Sequence, residues 1–115
     1  MSQHSFDEAK SVIMARHQQA IADARCVFDE TVAQINEDHK RFQEAYAAQW
    51  DQVKSDPSHP SLHIIRVEYE KSLVPPDHEP ARHALAEAVI KADQEYQAAL
   101  DEIATQHGVV IRRFA

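Results

Sequence analysis

Glycine is almost absent from this chain, which has only Gly108 among its 115 residues. A β-sheet protein needs frequent turns, and glycine supplies the backbone conformations that many of those turns require. The five prolines all lie between Pro57 and Pro80, so long segments on either side contain no residue that interrupts a helix. This shortage of turn residues disfavours a sheet protein and predicts an all-α fold.

The chain also has few features of a secreted or membrane protein. Its single cysteine, Cys26, cannot form a disulfide within the chain. The first residues, Met-Ser-Gln-His-Ser, lack the basic and then apolar pattern of a secretion signal. No apolar run approaches the roughly 20 residues of a membrane span. We therefore expect a cytoplasmic location and no membrane contact.

Positive charge is in the minority, with 12 basic residues against 19 acidic ones and a formal net charge of -7. An acidic protein is repelled by the phosphates of a polyanion, so direct binding of nucleic acid is not expected. The two signs are interspersed along the chain, which is typical of a solvated helical surface. An acidic decoy for a nucleic-acid-binding protein would instead need its carboxylates on one face.

The first predicted helix runs from about residue 5 to residue 56, with Ser5 and Glu8 as a capping box at its start. Apolar residues recur at intervals of seven along it, and further apolar residues lie three or four positions away, so they form one stripe. His17 and His39 fall inside this stripe. We interpret both as packed histidines in preference to ligands or acid-base catalysts. The residues at intervals of seven are Met14, Ile21, Phe28, Ile35 and Phe42.

Two further helices are predicted beyond the first proline-rich break. The segment 61–74 fits a short helix, which we favour, or a strand with Ile65, Val67 and Tyr69 on one face. The segment from about residue 77 to residue 107 has apolar residues alternating three and four apart, the seam of an antiparallel pair or coiled coil. Asp77 is its predicted N-cap and Gly108 its left-handed C-cap. The apolar segment 109–115 follows.

Together these elements predict one helical domain spanning residues 1–115. A long N-terminal helix packs against a shorter C-terminal helix with a proline-bounded middle segment, as a helical hairpin or three-helix bundle. At 1.5 Å per residue the first helix is about 75 Å long, and the later two, about 42 and 20 Å, can just cover it. Any uncovered part of the apolar stripe would favour association with a second copy, so a homodimer is expected.

The histidines near the proline-rich breaks are the only pattern that points to a metal or small ligand. His59 and His63 are four residues apart, as are Glu79 and His83, but each pair lacks the further ligands that zinc requires. No Glu-x-x-His motif of a di-iron site is present. No cofactor, metal site or catalytic residue is therefore predicted. An enzyme whose groups converge only in three dimensions, with His39 as base, stays as an alternative hypothesis.

The preferred function is that of a non-enzymatic, acidic helical module that binds another protein, as an adaptor, chaperone or inhibitor. Aromatic residues spaced along one helix are favoured anchors of protein interfaces, and the apolar tail carries two arginines that suit an acidic patch. The alternative is a metal-binding or small-ligand-binding protein that uses the histidines near the breaks. The predicted interaction residues are Phe28, Ile35, His39, Phe42, Tyr46, Trp50, Val110, Ile111, Arg112, Arg113 and Phe114.

Overall fold

The computed structural model describes residues 2–109, and side chains from Ser5 onward. Its helices are α1 (Ser2–Val53), α2 (Leu62–Ser72) and α3 (Glu79–His107). No strand occurs between residues 2 and 109, so the all-α prediction is confirmed and the ambiguous middle segment is a helix. None of these helices is apolar over a length that could cross a membrane.

The chain divides into two compact units. Unit 1 contains the residues up to Phe28 and those from Arg82 onward, and it is built from the first half of α1 and most of α3. The ring of Phe6 contacts that of His107 at a centroid distance of 6.2 Å, and His17 contacts Tyr96 at 5.2 Å. Because earlier residues of α1 lie beside later residues of α3, the two segments run antiparallel. A buried apolar cluster holds them together: Phe6, Ile13, Leu100 and Ala104.

Unit 2, residues 29–81, pairs the second half of α1 with α2. The rings of Trp50 and Tyr69 stack at 6.2 Å with an interplanar angle of 11°. His78 lies beyond α2, and its Nε2 atom is 2.7 Å from Oδ1 of Asn36. These two contacts make this pair of segments antiparallel as well. The unit buries only small or medium side chains, namely Val53, Ser72 and Ala81.

Both predicted ends of the first helix are corrected by the structure. The helix already begins at Ser2, so Ser5 and Glu8 lie inside it and the predicted capping box is wrong. It ends at Val53, three residues before the predicted end. There the Oδ1 atom of Asp56 accepts hydrogen bonds from the amide and hydroxyl of Ser58, at 3.2 and 2.8 Å. An aspartate that bonds to backbone two residues ahead forms a turn that competes with the helix.

The predicted C-terminal cap of α3 is confirmed. The helix begins at Glu79, so the position just before it is His78 and the predicted N-cap Asp77 lies one residue earlier. Oδ1 of Asp77 accepts the backbone amide of Glu79 at 2.9 Å. At the other end Gly108 has a φ of 66°. The amide of Val109 donates to the carbonyl of Ala104 at 2.8 Å, and that of Gly108 to the carbonyl of Thr105 at 3.3 Å. This pair of bonds is a Schellman motif, which returns the chain toward the buried cluster.

The apolar residues spaced by seven do not all face the core. Met14 and Phe42 are 42% and 46% exposed, whereas Phe28, midway between them, is half-buried. On a straight helix, a residue seven positions further along is rotated by about 20° around the helix axis. Over the four repeats from Met14 to Phe42 the rotation adds up to roughly 80°. The line of residues spaced by seven therefore crosses the covered face obliquely. His17 and His39 are half-buried, which confirms that both lie within the covered face of α1.

Candidate functional site

A pair of polar side chains joins the two helices of unit 1. The Nε2 atom of His17 on α1 lies 2.6 Å from Oδ1 of Asp93 on α3. Tyr96, three residues further along α3, places its ring at an angle of 49° to the imidazole. His17 is therefore held on two sides, by a carboxylate and by an aromatic ring.

Beside this pair, the two helices of unit 1 leave a cavity of about 170 Å³, which we call the His17 groove. Each wall consists of four residues at the spacing i, i+3, i+4 and i+7. Three of the eight are alanines, whose small side chains leave the space between the helices open. The wall from α1 is Ile13, Arg16, His17 and Ala20, and the wall from α3 is Ala92, Glu95, Tyr96 and Ala99.

The floor of the groove is apolar and its rim carries opposite charges. Ile13 and Ala92 are buried, whereas Arg16 and Glu95 are exposed, one on each wall. Neither charge forms a hydrogen bond or ion pair with residues 2–109. No serine, threonine or cysteine lines the groove, so His17 has no hydroxyl or thiol nucleophile beside it here.

Unit 2 contains an aromatic cluster, defined here as Phe42, Tyr46, Trp50 and Tyr69. Phe42 and Tyr46 meet edge to face at 4.5 Å, and Trp50 stacks on Tyr69. None of the four side chains is buried, and Phe42 is 46% exposed. Aromatic residues of this size contribute most of the binding free energy at many protein interfaces. The cluster thus combines large apolar side chains with access to solvent.

Most of the net negative charge of the protein lies in unit 2. Residues 29–81 include 5 basic and 11 acidic residues, a net charge of -6. The rest of the chain includes 7 basic and 8 acidic residues, a net charge of -1, and the two values account for the total of -7. The interspersed charges seen along the sequence therefore become an uneven distribution between the two units.

No protein-family model, curated protein or solved structure matches this chain. Its function is therefore inferred from the geometry of its own residues.

The structure places the predicted interaction residues in different environments. Phe42 is exposed, and the other five within α1 are half-buried: Phe28, Ile35, His39, Tyr46 and Trp50. The predicted residues of the tail, Val110, Ile111, Arg112, Arg113 and Phe114, lie outside the described residues. His17 lines the cavity of unit 1. His39, which is the proposed base of an alternative enzyme, does not line it.

The histidines near the breaks have partners other than a metal. Nδ1 of His59 accepts the amide of Ser61 at 3.1 Å. His63 lies 3.2 Å from Arg66, and His83 pairs with Glu87 at 2.9 Å, not with Glu79. Among the side chains described, those of residues 5–109, no group of three or more histidine, cysteine, aspartate or glutamate residues could hold a metal ion.

Sequence reasoning missed Arg16, Asp93 and Glu95. Exposed charged residues on a helix are usually solvated, and nothing in their local sequence distinguishes these three from their neighbours. The spacing of the α3 wall was visible, since Ala92, Tyr96 and Ala99 belong to the predicted seam. Only the packing of α3 against α1 shows that the charges border a cavity.

Proposed function

We propose that this protein is a non-enzymatic helical module that binds another protein, as an adaptor, chaperone or inhibitor, and that its partner is basic. The observation that carries the proposal is the aromatic cluster of unit 2, in which four large aromatic side chains form two ring pairs and none is buried. Interfaces are enriched in aromatic anchors that become buried on binding.

The charge of unit 2 supports a basic partner. A net charge of -6 on 53 residues attracts a positive surface and speeds its association. The same charge repels a second copy of unit 2. A suitable partner has lysine or arginine residues, which pair with the acidic residues, and apolar side chains, which pack on the aromatic cluster. An amphipathic helix of this composition is the simplest example.

The test uses a synthetic amphipathic helix of leucine and lysine, about 18 residues long and therefore roughly 27 Å. Trp50 is the only tryptophan and belongs to the cluster, so its fluorescence reports binding there directly. We expect saturable binding that weakens as salt rises from about 0.05 to 0.5 M, because salt screens the attraction between charges. Phe42→Ala should weaken binding about tenfold, equivalent to about 1.4 kcal/mol.

Matched controls separate this site from general charge attraction. A leucine and glutamate peptide of the same length should not bind. Met14→Ala removes an exposed apolar side chain from unit 1 and should leave the affinity unchanged. Equal binding of both peptides, or an affinity that does not depend on Phe42, would contradict the proposal.

Self-association is a second part of the proposal. Four large apolar side chains of unit 1 are exposed, and such side chains can become buried on association: Val12, Met14, Val27 and Ile90. Light scattering on a sizing column at two protein concentrations measures the mass directly. A dimer that dissociates on dilution supports this part, and a monomer at both concentrations contradicts it.

A further inference from the structure

The His17 groove has the dimensions of a site for one large side chain. Its volume is about 170 Å³, below the roughly 300–1,000 Å³ of pockets for drug-sized ligands. A cavity of about 150 Å³ engineered in another protein binds benzene. The groove therefore has room for a single phenylalanine or leucine side chain and little more.

The form of the walls fits a helix as the source of that side chain. In helix packing, a side chain of one helix inserts between four residues of the facing helix. Each wall of the groove presents four residues at the spacing i, i+3, i+4 and i+7, which surround such a hole. A third helix lying along the groove would meet both walls at once and could insert one apolar residue between them.

The rim defines the charges that such a helix should carry. Arg16 lies on the α1 wall and Glu95 on the α3 wall, and neither has a partner among residues 2–109. A helix with an acidic residue three positions before its central apolar residue and a basic residue three positions after it presents these charges on opposite sides. The helix can lie along the groove in two directions. In one of them its acidic residue lies next to Arg16 and its basic residue next to Glu95.

We propose that the His17 groove binds a helix of a partner protein, which inserts one phenylalanine-sized or leucine-sized side chain between α1 and α3 and pairs its flanking charges with Arg16 and Glu95. This site lies within unit 1 and does not involve the aromatic cluster, so the proposal goes beyond the proposed function and does not depend on it. The His17–Asp93 contact joins α1 to α3 beside the groove.

The experiment uses an alanine-rich helical peptide of about 18 residues, roughly 27 Å long, with a central phenylalanine and the two flanking charges. Binding to the full chain is followed by NMR of the methyl groups that line the groove: Ile13, Ala20, Ala92 and Ala99. We expect these signals to shift while the fluorescence of Trp50 stays constant. A peptide with alanine in place of phenylalanine should bind at least about tenfold more weakly.

Charge reversal gives the sharper test, and both positions are exposed, so the fold should tolerate it. Arg16→Glu and Glu95→Arg should each weaken binding several-fold. The double variant carries the same charges on exchanged walls, so the peptide can bind in the opposite direction and its affinity should return. A double variant that binds more weakly than both single variants would overturn the proposal.

Other occupants of the groove would also overturn it. Shifts of the same methyl signals with protein concentration alone would show that a second copy fills the groove. Peptide binding that occurs only after removal of residues 110–115 would show that the chain's own tail fills it. Equal affinities for the phenylalanine and alanine peptides would show that no side chain enters the cavity.

Discussion

The imidazole of His17 and the carboxylate of Asp93 lie 2.6 Å apart, although 76 positions separate them in the chain. Their contact connects α1 to α3 beside the His17 groove, while the buried cluster around Phe6 and Leu100 connects the same helices further along. The two side chains are 28% and 59% exposed, so water weakens their attraction. The pair is expected to orient the helices more than to stabilise them.

A double-mutant cycle of His17→Ala and Asp93→Ala measures this attraction. Because both side chains are partly exposed, we expect a coupling energy of about 0.5 kcal/mol in the free energy of unfolding. Urea denaturation of the four proteins at neutral pH gives the value. If the losses in the free energy of unfolding of the two single variants simply add up in the double variant, the two side chains lie close without stabilising one another.

Two neighbouring residues of α1 should respond differently to truncation. Ile13 is 7% exposed and belongs to the buried cluster, so Ile13→Ala should lower the free energy of unfolding by about 3 kcal/mol. Met14 is 42% exposed, and Met14→Ala should change it by no more than about 0.5 kcal/mol. Chemical denaturation distinguishes these outcomes, and equal losses would contradict the described face of α1.

Substitution of Gly108 tests whether this residue caps the C-terminal end of α3. A Cβ atom there would meet nothing within 4 Å, so the only penalty of Gly108→Ala is its left-handed backbone, with a φ of 66°. The expected loss is about 1 kcal/mol, seen as a lower thermal midpoint. Gly108→Asn should lose less, because asparagine tolerates this conformation better. If both variants were as stable as the original chain, Gly108 would not be needed as a cap.

The stacking of Trp50 on Tyr69 can be followed by fluorescence. Tyr69→Ala removes the ring that packs in an offset stack beside the indole, so the emission of Trp50 should shift to longer wavelength as water reaches it. Ile64→Ala is the matched control, since Ile64 lies on the same helix and is 64% exposed. An unchanged spectrum for Tyr69→Ala would contradict the described packing of α2 on α1.

Most contacts of the candidate site could not be predicted from the sequence, for a geometric reason. Phe42, Tyr46 and Trp50 could be placed on one side of α1 by their spacing of four. The stacking of Tyr69 on Trp50 depends on the register of α2 against α1. The pairing of His17 with Asp93 depends on the register of α1 against α3. Periodicity within a helix contains no information about either register.

The amino-acid sequence by itself determined the approximate extent of the first and last helices, since proline occurs only between Pro57 and Pro80 and glycine only at Gly108. It left the segment 61–74 open between a helix and a strand. It also determined the C-terminal cap of α3, because Gly108 acts on backbone within a few residues. Tertiary packing alone decided which half of α1 meets which later helix, and thereby the location of the cavity at His17. Such contacts depend on the free energy of burying distant residues together, which no local pattern specifies.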